Sequence, residues 1–516
     1  MLAGRIGPMK PSLLPVLVLC CAFLPATARA QAEAPKCRYT QVGLIPLHYN
    51  GPALALSTAG SINGTPATML VDTGAFDSLL SSSGAARRKL PMRATGYYAK
   101  GVGGDTPIYQ ARVNEFTAGP LQSGGGWMPM LGESGAPPAY DGIIGAPFLL
   151  QADMEISLAT KRLRFFRPSN CGGAHLAYWD EAAMEIPFEA NNDPSPNPQF
   201  TVLVNGKKMR AVIDTGADTT VIGLAAAQRA GLMLGAPGVT RDGESEGAGG
   251  KRVARWSTSF ATFQIGDEIV RNAQVGVIDW DGHVDVLLGA DFLRAHRVLI
   301  AMSQQKIYLS YVGGEPFGQR RKLEPWIVEE AEAGNHNAQM LAVYLATQDG
   351  AAPKDAARAA GWLEQAALGG NPLANLMTGQ ALVKQGILEQ GIVRLRHAAN
   401  QLPTVRSAAL WLYLARVRSK QADLARTELL ANLARSQDKA WPAPVADFYL
   451  GKITAESLLA QAAADGKNAQ QHTCEALTAM SDWHGAHGDA RQAAALTARS
   501  EAQCAAPHAP LPRALQ

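Results

Sequence analysis

Residues 211–222 read AVIDTGADTTVI, and residues 69–80 read MLVDTGAFDSLL. Each stretch sets Asp-Thr-Gly-Ala, at 72–75 and 214–217, directly after an apolar run that reads as a strand. The likeness spreads outward. An Asn-Gly pair, Asn63-Gly64 and Asn205-Gly206, stands nine residues ahead of each Asp, the signal of a tight hairpin feeding the strand. Further upstream, Ile45-Pro46-Leu47 answers to Ile186-Pro187-Phe188. Downstream, YDGIIGAPFL from Tyr140 matches VDVLLGADFL from Val284, with Gly145 lying 73 residues after its Asp and Gly289 lying 75 after its own. Between these markers fall Gly101-Val102-Gly103-Gly104 and Gly247-Ala248-Gly249-Gly250. Markers that recur in one order define an internal duplication, and the two Asp residues are 142 positions apart.

A lone Asp-Thr-Gly is a weak signal, whereas two in matching surroundings are specific. On these motifs the stretch from Cys37 to Val312 resembles two retropepsin-like aspartic protease lobes fused in tandem. The resemblance implies an all-β bilobed unit, lobe 1 over 37–171 and lobe 2 over 172–315, with a substrate cleft between the lobes. It implies a catalytic pair, Asp72 and Asp214, holding a water, and it implies that Thr73 and Thr215 hydrogen-bond across the two-fold axis to keep the acids in register. Two like charges so close cannot both ionise, so the pair keeps one proton and offers both a base and an acid. Gly74 and Gly216 lack a Cβ and allow a sharp turn and close backbone approach. Ala75 and Ala217 stand where pepsin-like enzymes usually carry Ser or Thr. One hydrogen bond fewer to the charged pair leads us to expect a mildly acidic pH optimum. Ile143-Ile144-Gly145 and Leu287-Leu288-Gly289 are expected as buried strands behind the loops.

Two further segments bear on the cleft. The glycines Gly101, Gly103 and Gly104, with Gly247, Gly249 and Gly250, read as flap hairpins that close over substrate, the alternative being ordinary mobile turns. The Gly/Pro-rich LQSGGGWMPMLGESGAPPAY reads as a long loop, more simply a cover for the barrel than a lining of the cleft.

Beyond the duplication the composition shifts to Ala, Leu and Gln with helical periodicity. Gly334-Asn335 and Ala338 recur as Gly370-Asn371 and Ala374, an interval of 36 residues. This resembles Sel1-like repeats of the tetratricopeptide type and implies an all-α solenoid over 322–505, with a tail at 506–516. The role expected of it is protein recruitment, or else a scaffold for the lobes.

The N-terminus sets Arg5 and Lys10 before an apolar run, Leu13–Leu24, and Ala28-Arg29-Ala30, so residues 1–30 read as a cleaved secretory signal. Four cysteines follow it: Cys37, Cys171, Cys474 and Cys504. An even number outside the cytoplasm favours disulfides, and position favours Cys37–Cys171 and Cys474–Cys504 over free thiols. A formal charge of +3 and a hydrophobic fraction of 47% suggest neither nucleic-acid binding nor disorder. The basic runs Arg87-Arg88-Lys89 and Arg320-Arg321-Lys322 read as solvated. No metal-ligand spacing occurs, and no cofactor is called for.

The expectation is thus a multidomain protein, periplasmic or secreted and monomeric: an aspartic endopeptidase that cleaves polypeptide substrates, followed by helical repeats open to a protein partner. The rival is a catalytically inactive protease fold that binds peptides and acts mainly through its helices. A third arrangement, like lobes pairing between chains, would be discarded by a monomer in solution.

Overall fold

Both Asn-Gly pairs form tight turns. Asn63 and Gly64 take φ of 51° and 72°, and Asn205 and Gly206 take 48° and 74°, left-handed values that match the twist of hairpin strands. The computed structural model describes residues 36–132, 138–189, 196–249, 251–317, 322–348, 352–435 and 440–504. The expected signal, Gly250, Arg320, Arg321, residue 505 and the tail lie outside them.

The first half of the β region runs β1 (Arg38–Pro46), β2 (His48–Asn50), β3 (Ala55–Ile62), β4 (Thr65–Val71), β5 (Leu79–Ser81), β6 (Met92–Gly101), β7 (Gly104–Ala118), β8 (Leu121–Leu131), β9 (Gly142–Ile144), β10 (Asp153–Ser157) and β11 (Arg162–Ser169). Short helices α1 (Ser82–Arg87) and α2 (Ala146–Leu149) follow β5 and β9. The second half repeats the plan with β12 (Met184–Pro187), β13 (Phe200–Val204), β14 (Lys207–Ile213), β15 (Val221–Gly223), β16 (Thr240–Ser245), β17 (Val253–Ile265), β18 (Glu268–Ile278), β19 (Val286–Leu288), β20 (His296–Ala301) and β21 (Lys306–Tyr311). Its helices are α3 (Leu224–Arg229) and α4 (Ala290–Ala295).

Strand order makes the duplication explicit. One sheet is ordered β2-β3-β4-β9-β5-β8-β7-β6 and another β13-β14-β19-β15-β18-β17-β16, so all but β2 correspond. Extra pairings, β3 with β7 and β13 with β17, curl each sheet toward a barrel. The third sheet joins the halves in the order β1-β11-β10-β20-β21-β12, three strands from each, with Met154 opposite Ile300 at its centre. Ile45 pairs with Leu163 and Ile186 with Ile307, so the upstream sequence marker occupies matching edges of this sheet. The apolar runs before each Asp are central strands: β4 lies parallel to β9, and β14 to β19. Strands covered on both faces tolerate continuous apolar sequence. Phe116, Phe263 and Phe292 are fully buried, each contributing up to about 3 kcal/mol from burial.

Two readings are corrected here. Residues 121–131 are a strand, β8, laddered to β7 with Trp127 opposite Arg112. A Cβ on Gly125 would lie 2.3 Å from the Asn114 carbonyl, so glycine permits the close strand approach that its composition had suggested was a loop. Arg87 and Arg88 are not simply solvated either, because both pair with Asp141, at 2.7 and 2.8 Å.

The remainder is helical: α5 (Pro325–Glu332), α6 (His336–Ala346), α7 (Pro353–Leu368), α8 (Pro372–Lys384), α9 (Leu388–Gln401), α10 (Arg406–Arg418), α11 (Ala422–Ala434), α12 (Ala443–Tyr449), α13 (Ala455–Ala463), α14 (Ala469–Ala486) and α15 (Ala490–Gln503). The Gly-Asn repeat is a helix boundary. Gly334 and Gly370 take φ of 91° and 84°, and Asn335 and Asn371 cap α6 and α8 by accepting from Ala338 and Ala374 N–H groups. Ala338 and Ala374 are themselves wholly buried, where only a small side chain lets helices approach. Ile327, Val343 and Trp362 from α5, α6 and α7 share one buried core with Ile45 and Phe292 of the β region. Disulfides join Cys37 to Cys171 and Cys474 to Cys504. Among the described residues no helix is long and apolar enough to cross a membrane.

Candidate active site

Each Asp follows a central strand and is anchored by the strand behind it. Asp72 N–H donates to the Ile144 carbonyl and Asp214 N–H to that of Leu288, both at 3.0 Å. The chain then turns back on the carboxyl. Gly74 and Ala75 N–H groups donate to Asp72 Oδ1 at 2.8 and 3.0 Å, and Gly216 and Ala217 donate to Asp214 Oδ1 at 2.9 and 3.2 Å. Behind the turn, Gly145 and Gly289 pass so close that a Cβ would collide with Asp77 and Thr219 backbone.

The threonines bind crosswise. Thr73 N–H donates to Thr215 Oγ1 at 3.0 Å and Thr215 N–H to Thr73 Oγ1 at 3.1 Å. Their hydroxyls continue the crossing, Thr73 donating to the Ile213 carbonyl at 2.7 Å and Thr215 to that of Val71 at 2.8 Å. Both threonines are buried, so these bonds lock the two loops together in a site shielded from water. Asp72 and Asp214 are thereby held within hydrogen-bonding reach of one another.

The electrostatics follow from that proximity. Burial first, then the charge of Asp214, pushes Asp72 well above the ordinary aspartate value. Burial raises Asp214 too, against the opposing pull of the Gly216 and Ala217 N–H groups and of a hydrogen bond from Asp72. The pair titrates as one unit that retains a proton to higher pH than a free aspartate.

Residues outside the repeated motif also shape the site. Asn197 is buried, and its Nδ2 donates to the carbonyls of Thr73 at 2.7 Å and Ile213 at 3.1 Å, tying the two loops from one side only. Ser78 and Thr220 are equivalent hydroxyls that accept from Gly145 and Gly289 N–H groups. In lobe 2 the buried Asp291 additionally accepts from Thr220 at 2.7 Å. Arg255, buried beneath this half, donates to Thr219 Oγ1 at 3.1 Å and pairs with Asp242 at 3.7 Å. Sequence reading missed Asn197 because it has no partner in the repeat. Asp291 was visible as the one difference between GAPFL and GADFL.

The glycine hairpins meet over the cleft. Gly103 N–H donates to the Ala248 carbonyl at 2.9 Å, and Lys251 N–H donates to that of Gly103 at 3.0 Å. A Cβ on Gly101 would lie 2.1 Å from the Ala248 carbonyl, so the tips can touch only without side chains there. Gly104 and Gly249 hold left-handed φ of 88° and 122°, and Gly247 packs against Val102. Beneath lies a cavity of about 1710 Å³ reaching both aspartates. Its lobe 1 side is mainly apolar, with Phe76, Leu79, Leu131 and Ile143, whereas its lobe 2 side carries Asp218, Asp242, Glu244, Arg252 and Arg255. Among the described residues no group of three or more His, Cys, Asp or Glu is placed to hold a metal ion.

Comparison with known proteins matches the two halves separately. Residues 58–148 match the family model described as aspartyl protease, and residues 200–295 match gag-polyprotein putative aspartyl protease. Each match contains one Asp-Thr-Gly loop. A solved structure, the aspartic proteinase from Irpex lacteus, is similar at 14% identity and a TM-score of 0.33, covering 52% of this chain and 97% of that one. No curated protein matches the chain. Two segments of a mostly β region thus match aspartyl protease family models, and a helical region follows them.

Proposed function

We propose that the protein is an exported aspartic endopeptidase of the retropepsin-like kind, with Asp72 and Asp214 as its catalytic pair. One observation carries this reading: two facing carboxyls, each cradled by its own loop and crosswise bonded through Thr73 and Thr215, inside a single chain. The ionised carboxyl takes a proton from a water held between the pair as the water oxygen attacks the scissile carbonyl. The protonated carboxyl donates to the carbonyl oxygen, stabilising the tetrahedral intermediate. A proton then passes to the amide nitrogen, the C–N bond breaks, and the pair is left with one proton again. An extended peptide suits a cleft roofed by two hairpins, because strand-like hydrogen bonds to the hairpins hold it.

Domain limits at 37–171, 172–315 and 322–505 fit the positions of the three sheets and of the helices, and Sel1/tetratricopeptide-like stacking fits the capped Gly-Asn repeat. Export, to a periplasmic or external compartment, is supported by the sequence of 1–30 and by the two disulfides.

The test is peptide cleavage by the mature protein from acid to neutral pH, beside Asp72→Asn and Asp214→Asn. Cleavage abolished in both variants supports the pair. Cleavage by neither wild type nor variants, with peptide still bound, would favour the inactive binding fold instead.

A further inference from the structure

The cavity above the aspartates is not walled by the β region alone. It runs past the Asn50–Ala55 turn to α5 and α6, where Trp326, Leu341 and Tyr344 line it. These three side chains are half-buried, neither sealed in the core nor turned to solvent.

Their support is built in. Trp326 lies 4.9 Å from the Tyr49 ring, carries Arg294 4.1 Å over its face, and donates its Nε1 to Glu324 at 2.7 Å. Asn335, the cap of α6, donates its Nδ2 to the Tyr49 carbonyl at 2.9 Å. Lys161 of lobe 1 pairs with the buried Glu330 of α5. Ile327 and Leu345, on the same two helices, sit in the core that also holds Tyr49 and Leu54. A tilted ring contact, a cation over a ring, an ion pair and a shared core thus tie this wall to both lobes.

We infer that α5 and α6 supply a specificity subsite of the peptidase cleft, in which Trp326, Leu341 and Tyr344 take an apolar or aromatic substrate side chain remote from the scissile bond. The inference rests on the peptidase reading. Its chemistry is that of the three side chains: aromatic and aliphatic surface bordered by Arg294, Lys322 and Glu324, with the polar end of Trp326 already satisfied by Glu324, so an apolar side chain on the ring faces does not strip that N–H of its partner. An extended peptide lying along the cleft advances about 3.3 Å per residue, which carries its side chains from the aspartates toward the helices. The helical region then belongs to the substrate site as well as following it in sequence.

The experiment is a cleavage-site profile, read by mass spectrometry on peptides from digested casein, for wild type, Tyr344→Ala, Tyr344→Phe, Asp72→Asn and Asp214→Asn. We expect wild type to prefer an apolar or aromatic residue at one position away from the cleaved bond. Tyr344→Ala should lose that preference, with KM for such peptides raised roughly tenfold, as for one hydrophobic pocket contact. Preferences beside the bond should stay as they were, and Tyr344→Phe should restore the wild-type profile. A profile unchanged in Tyr344→Ala, or a uniform slowing of every cleavage, overturns the subsite while leaving the peptidase intact. A wild type that cuts nothing, or aspartate variants that cut equally well, overturns the peptidase reading and the subsite with it.

Discussion

Gly74 lies against the carboxyl of Asp214: a Cβ placed on it would stand 2.7 Å from both carboxyl oxygens. The relation is reciprocal, since a Cβ on Gly216 would stand 2.5 and 2.6 Å from those of Asp72. Each glycine is therefore a spacer for the other lobe's acid. Gly74→Ala and Gly216→Ala should each push the opposite carboxyl aside and lower kcat/KM by about a hundredfold or more, as small misplacements of reacting groups do. Unfolding measurements should show a loss of only about 1–3 kcal/mol. Full activity in either variant would remove the spacing argument.

The raised carboxyls make a second, opposite prediction about stability. Because the folded-state value of Asp72 lies above its unfolded value, its contribution to stability is complete in acid and is lost as pH rises through the folded value. Above that value the wild type must hold a second charge beside Asp214 that Asp72→Asn never acquires. That variant should be inactive yet lose less stability than wild type as pH rises from acid through neutral to mildly alkaline. Thermal scans across that range decide it; melting temperatures that keep the same spacing at every pH would mean that the carboxyls do not crowd each other.

Much of this site could be read from the sequence because its physical demands are local and occur twice. Asp-Thr-Gly after an apolar run, an Asn-Gly turn nine residues before, and a glycine behind the loop each leave a mark that duplication repeats. The sheet joining the halves was foreshadowed only by Ile45-Pro46 and Ile186-Pro187, since pairing between Met154 and Ile300 depends on residues too distant for any periodicity to reveal. Asn197 was invisible for the same reason: what matters about it is a contact across the fold. The Gly-rich strand at Leu121–Leu131 misled because composition speaks for the isolated chain, whereas the ladder to its neighbour decides the folded one.

Asn197 breaks the pseudo-symmetry of the loops and supplies a third prediction. Removing its amide in Asn197→Ala leaves the buried carbonyls of Thr73 and Ile213 each short of one donor, at a cost of about 1–3 kcal/mol in stability. As the amide holds both loops at the wall of the cavity, kcat should fall by about tenfold with a smaller change in KM. Steady-state kinetics beside urea unfolding would check both halves. A KM effect with unchanged kcat would place Asn197 in substrate binding instead.

The last prediction concerns Asp141, just before β9. Burial opposes its ionisation, but Arg88, Arg87 and the Thr68 N–H hold it down to about 2. Arg88 reaches it at 2.8 Å, and Thr68 N–H at 2.9 Å locks the turn to the strand leading to Asp72. A depressed value means stability that is present above the unfolded value and is lost as pH falls toward about 2. Asp141→Asn should therefore cost about 2 kcal/mol at neutral pH, with the penalty shrinking in acid. The matching residue of lobe 2, Asp285, meets Arg229, whose side chain is 53% exposed against 10% for Arg88. Exposed pairs contribute little, so Arg229→Ala should cost well under half as much as Arg88→Ala. Urea unfolding of these three variants at neutral and acid pH tests the assignment. Equal losses in the two arginine variants would show that burial, and not pairing alone, had been misjudged as the source of the difference.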